Sequence, residues 1–178
     1  YFFFDRLVKS HPDWRYVFVV DAFDVLVGAN PCQQLQEDLG HRRTRLYVGA
    51  ESGQLKGNWW MRTRFQRMGG KYMEWFDESV GQQARILNCG ITGGHREVML
   101  RFLALMTAVL SDPRLAVRAS NARAAAEHRR GEDIHVNMPA LNYVAHTGMV
   151  GEIATGRPIH SRYKKYENNR TDVWFIHK

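Results

Sequence analysis

The sequence predicts an α/β fold, and three observations carry that prediction. Tyr16–Val20 (YVFVV) is an uncharged, β-branched and aromatic run, the pattern of a buried strand. Arg96–Leu110 places Val98, Phe102, Leu105, Met106 and Val109 at helical spacing. Between and beyond them, short strand-like runs alternate with helical stretches, as in α/β proteins.

In chain order, Tyr1–Ser10 reads as an amphipathic helix stopped by His11-Pro12-Asp13. The Tyr16–Val20 strand runs into Asp21-Ala22-Phe23-Asp24 and the apolar Val25-Leu26-Val27. Asn30-Pro31 marks a turn before a short helix over Gln33–Leu39. Arg45–Gly49 is a second strand. Gln54–Gln83 shows little periodicity and reads as a long loop carrying Trp59, Trp60, Tyr72, Trp75 and Phe76. Arg85–Leu87 is a third strand, which ends in a glycine-rich turn, Asn88–Gly94, ahead of the Arg96–Leu110 helix. Ser111-Asp112-Pro113 caps a basic, alanine-rich helix over Arg114–Arg130. Asp133 reads as the N-cap of a helix reaching His146, and Val173–Ile176 as a last strand.

Composition narrows the function classes. The 178 residues suit one domain, and 44% hydrophobic residues argue against a disordered chain. Two cysteines, Cys32 and Cys89, exclude a disulfide-stapled miniprotein. The longest apolar stretch, near Phe102–Leu110, falls well short of the ~20 residues of a membrane span. Both ends read as cut, so the expectation is an excised piece whose targeting signal lies elsewhere. A net charge of +7, concentrated in Val117–Gly131 and Arg157–Lys178, favours anionic partners; a solvated basic face explains it equally well.

Asp21 and Asp24 follow the first strand, and in open α/β sheets ligands bind beyond strand ends. Two carboxylates on one turn can share a hard cation that bridges to phosphates; the plainer reading is a turn cap and a solvated Asp. His177 at the end of the last strand is a candidate third ligand, and Lys178 a candidate phosphate contact; otherwise they are two exposed polar residues. Such a donor set suits Mn²⁺ or Mg²⁺ assisting a diphosphate leaving group. Asn88-Cys89-Gly90 lets backbone approach a ligand closely, or simply makes a tight connection. Glu132 and Asp133 are candidate catalytic carboxylates, with an N-cap as the plainer role. Trp59 and Trp60 either stack on a sugar ring or fill core.

Taken in order, these fragments resemble a metal-dependent GT-A type glycosyltransferase, and most closely the glycosyltransferase domain of the lysyl hydroxylases and the related collagen galactosyltransferases. The matching stretches are Val19–Leu26, Gly49–Ser52, Ile86–Gly94, Glu132-Asp133 with its helix, and Ile176–Lys178, spanning nearly the whole chain. The resemblance implies a Rossmann-type mixed sheet flanked by helices, residues 1–178 forming one domain. It implies that Asp21, Asp24 and His177 hold Mn²⁺ (or Mg²⁺), and that Asp21, Asn88, Cys89, Gly90 and Lys178 contact a nucleotide-sugar donor, UDP-linked. Asp133 and Glu132 then stand at the catalytic position, while Glu51 and the aromatic loop with Trp59 border a protein or glycan acceptor.

The same resemblance implies a strand–helix–strand unit that holds the nucleoside base ahead of the first Asp. Only Tyr1–Arg15 precede the first strand here, so the expected domain lacks that unit. Residence in the Golgi or endoplasmic reticulum lumen fits a parent carrying its own targeting segment. Two other readings stay open: a basic nucleic-acid or polyanion binding module, motivated by the charge, and a catalytically inactive GT-A relative. On the enzyme reading no nucleic acid is expected.

Overall fold

The structure, a computed structural model, describes residues 1–37, 43–115, 136–165 and 167–178. Its first elements are helix α1 (Phe2–Ser10), strands β1 (Tyr16–Val20) and β2 (Val25–Val27), helix α2 (Pro31–Glu37) and strand β3 (Leu46–Gln54). Helices α3 (Trp59–Met68), α4 (Gly70–Asp77) and α5 (Ser79–Gln83) follow, then strand β4 (Arg85–His95) and helix α6 (Arg96–Leu110). Helix α7 (Asn137–Gly148) and strands β5 (Ile153–Ala154) and β6 (Phe175–His177) complete the described elements.

The fold is α/β: a mixed sheet flanked by helices. Its strand order is β1-β4-β3-β5, antiparallel except for the parallel β3–β5 pair; β2 and β6 form a separate antiparallel pair. The sheet is covered on both faces. Val17 and Val19 of β1 pack into the core that holds α6 and α7, whereas Tyr16, Phe18 and Val20 pack into a smaller core with Trp174 and Phe175. That explains an unbroken apolar run in β1. With no polar face to present, alternation disappears even though β1 pairs on one side only, with β4.

Helix α6 buries Val98, Phe102, Met106 and Val109 of the predicted stripe, together with Met99 and Leu103, while Leu105 is only half-buried. Helix α7 lays Ala140, Leu141, Val144 and Ala145 into the same core. Pro139 sits in its first turn, where a missing backbone N–H leaves no hydrogen bond unmade. Asn30 starts α2, its Oδ1 accepting from the Cys32 and Gln33 amides, so this helix begins at Pro31 rather than Gln33.

Two expectations are corrected. Gln54–Gln83 is no loop: it carries α3, α4 and α5. Met61, Phe65 and Met68 form one short stripe, and Tyr72, Trp75 and Phe76 another. Gly69 and Gly70 lie between them with φ of 63° and 49°, a left-handed break that resets the period. Nor is Asn88–Gly94 a turn; it lies within β4. Gly93 faces Phe18 across the β1–β4 ladder, and a Cβ there would stand 2.1 Å from the ring. The glycine makes room for an aromatic ring, not for a turn.

Cys32 and Cys89 are both free thiols. No described helix is long and apolar enough to cross a membrane. The predicted basic helix lies outside the described residues from Ala116 onward, and so do Glu132 and Asp133.

Candidate functional site

The site begins with an irregularity in the sheet. In the β3–β4 ladder, Val48 pairs with Thr92 but the next residue, Gly49, pairs with Asn88. Cys89, Gly90 and Ile91 are therefore surplus on β4 and bulge out of that ladder. Ile91 is taken up by Val20 of β1, and the Gly90 carbonyl accepts the Asp21 amide at 2.9 Å. The bulge thus meets the end of β1 and sets Asn88–Gly90 beside Asp21. Asn88 locks it: its Oδ1 accepts the Gly90 amide at 2.7 Å, and its Nδ2 donates to Glu51 Oε1 on β3 at 2.8 Å.

The other wall comes from the end of the chain. Val25 pairs with His177 in the β2–β6 ladder, and the Lys178 amide donates to the Asp24 carbonyl at 2.8 Å. The His177 amide donates to Ser161 Oγ at 2.9 Å, and the Tyr163 ring lies against the imidazole with centroids 4.5 Å apart. A Cβ on Gly90 would stand 2.8 Å from the His177 ring, so only glycine leaves the imidazole its place.

These pieces enclose a cavity of about 590 Å³. Asp21, Asp24, Glu51, Asn88, Cys89 and His177 all line it, drawn from four separate stretches of sequence. Trp60 lines it too, and so do Asn58, Met61, Asn137, Met138, Tyr163 and Lys164, which the sequence does not mark as site residues. Trp60 was legible only as one of a Trp pair. Tyr163 and Lys164 carried no signal beyond a basic stretch. Gly90 and Lys178 adjoin the cavity through His177 and Asp24 rather than lining it. Trp59 points elsewhere: it is 75% exposed, neither core nor wall, while Trp60 faces the cavity.

The electrostatics are lopsided. Three carboxylates (Asp21, Asp24 and Glu51) face one ammonium, Lys164, whose Nζ lies 5.0 Å from the Tyr163 ring centre. Burial raises the Asp21 pKa, and the Asp24 charge raises it further. Burial pushes the Cys89 thiol up to about 11, with Asp21 and Glu51 adding to the shift, so it stays a neutral thiol. Burial also draws His177 down to about 4, aided by His160 and opposed by Asp24; its imidazole is neutral at pH 7. Among the described residues, the buried His177 Nδ1 has no hydrogen-bond partner.

An orphaned imidazole nitrogen and two mutually repelling carboxylates match the oxygen and nitrogen donors that Mn²⁺ or Mg²⁺ prefers. Among the described residues, no three His, Cys, Asp or Glu side chains stand already gathered at metal-binding distance. The donors share a cavity, and ligation would require side-chain rotation within it. No protein-family model matches the sequence, and no curated protein matches it.

Proposed function

We propose that the chain is a metal-dependent glycosyltransferase of GT-A type, moving a sugar from a nucleotide sugar, UDP-linked, to a protein or glycan acceptor. One observation carries the reading. Asp21, Asp24, Asn88, Cys89, Glu51 and His177, chosen from sequence fragments up to 156 residues apart (177 − 21), line one cavity.

Charge supplies the physical argument for a cation. A cavity with three carboxylates and one ammonium repels a diphosphate. A divalent ion held by Asp21, Asp24 and His177 would cancel that negative excess and stabilise the charge on the departing diphosphate. Lys164 in the cavity wall adds positive charge, and the Lys178 backbone holds the Asp24 carbonyl beside it. Asn88, pinned by Glu51 and the Gly90 amide, offers a fixed polar wall that need not reorganise as the anomeric carbon becomes oxocarbenium-like. Trp60 supplies an aromatic face on the acceptor side.

Calorimetric titration with UDP, with and without Mn²⁺, tests the reading. Binding heat that requires Mn²⁺ and is lost in Asp24→Ala is expected. A polyanion-binding module would give no metal-dependent heat, and that result would sink the enzyme reading.

A further inference from the structure

A second cavity, of about 440 Å³, adjoins the first and shares Glu51 and Tyr163 with it. Its charge is opposite. Arg85, Arg157, Arg162, Lys165 and Arg170 line it against Glu51 and Glu167, an excess of three positive charges (5 − 2). Much of the Arg157–Lys178 charge that the first site leaves unexplained gathers here.

The cations fall into two groups. Arg162 and Arg170 are held in place: Glu167 accepts from Arg162 Nε at 2.9 Å and from Arg170 Nη1 at 3.4 Å, and Asp172 binds Arg170 through two hydrogen bonds. Arg157 reaches Asp172 only at 3.6 Å. Arg85 and Lys165 have no carboxylate partner among the described residues. Fixed guanidinium groups thus frame a hollow into which unpaired positive charge opens. In a concave wall such charge focuses the field and favours a compact, multiply charged anion over a single carboxylate.

We propose that this second cavity binds the phosphate or sulfate group of a small ligand. It needs no cation to do so, which separates it from its neighbour.

Amide NMR titration of the metal-free chain in EDTA tests this with inorganic phosphate, inorganic sulfate and acetate. Phosphate and sulfate are expected to shift the Gly156 and Arg162 amides saturably, at concentrations at least tenfold below acetate; whichever of the two binds tighter identifies the ester. Arg85→Gln with Lys165→Gln should weaken that binding at least tenfold while leaving amide shifts elsewhere unchanged, because neither side chain holds the fold together. Asp24→Asn should leave it unaltered. Absent shifts, parity with acetate, unchanged affinity in the double variant, or loss in Asp24→Asn would each overturn the proposal. The last two steps read independently of Mn²⁺-dependent UDP binding, so either proposal can fail alone.

Discussion

At the scale of single residues, Gly90 shapes the candidate cavity and His160, in the wall of its neighbour, links stability to pH. Gly90 is the contact surface for His177, and even a methyl group would stand 2.8 Å from the imidazole and 3.0 Å from Asn88 Oδ1. Gly90→Ala is therefore expected to displace His177 and to weaken Mn²⁺-dependent UDP binding at least tenfold by calorimetry. Its stability cost, read by denaturant unfolding, should stay within the ~1–3 kcal/mol of a local overpacking. His160 is the second position. Its Nε2 accepts the Ala50 amide at 3.2 Å and the Gly156 amide at 3.0 Å, so the proton sits on Nδ1, 2.6 Å from the Ser161 carbonyl. Burial lowers its pKa, and the Arg85 charge acts in the same direction against the Ser161 hydrogen bond. The unfolded chain, with the ordinary histidine value of about 6.5, then takes up a proton more readily than the folded one. The stability His160 confers is full above that value and is lost as the pH falls below it. Buried His177 and His146 act in the same direction, so denaturant midpoints should drop between pH 7 and pH 5, and His160→Gln should make that dependence shallower while lowering the midpoint at pH 7.

At the scale of elements, Asn142 shows how a helix substitutes for a strand. The β1 pairing with β4 stops at Ile91, so Leu87 lies beyond its reach. Asn142 of α7 takes over: its Oδ1 accepts the Leu87 amide at 2.9 Å, and its Nδ2 donates to the Leu87 carbonyl at 2.8 Å and the Met138 carbonyl at 2.9 Å. Asn142→Ala would orphan buried backbone groups, each worth about 1–3 kcal/mol, and a thermal or denaturant melt should register a loss on the order of 3 kcal/mol. No spacing in the sequence announces such a bond, because an Asn in a helix reads as ordinary polarity. The elements that were readable share one property: α6 and β1 carry their whole signal within a single uninterrupted pattern. Helices α3 and α4 were not readable, since Gly69 and Gly70 split them into stripes of three residues each. The stretch Asn88–Gly94 was misread for a different reason. Its glycines look like a turn, whereas the structure spends them on clearance for Phe18 and His177.

At the scale of the whole molecule, the candidate cavity was readable as a set of residues but not as a shape. Asp21, Asp24, Asn88 and His177 each stand at a strand end or bulge, positions that sequence pattern can mark. Tyr163, Lys164 and Asn137 enter only through the path of the chain between elements, which no local pattern encodes. The two cores meet across the sheet but differ in size: the one around α6 and α7 gathers helices and strands alike, while the one around Trp174 rests on a few side chains. The pairing of Val25 with His177 therefore has a cost that the rest of the fold does not share. It closes a loop of 152 residues (177 − 25) with a three-residue strand, and its contacts are the most distant in sequence of any ladder here. Loop closure of that length makes this ladder late to form during folding and early to open afterwards. Amide hydrogens in Phe175–His177 should accordingly exchange faster than those around Phe102 in α6. The cavity then exists only while its seam is shut: a local opening would take apart the proposed binding site reversibly, with the helical core still standing.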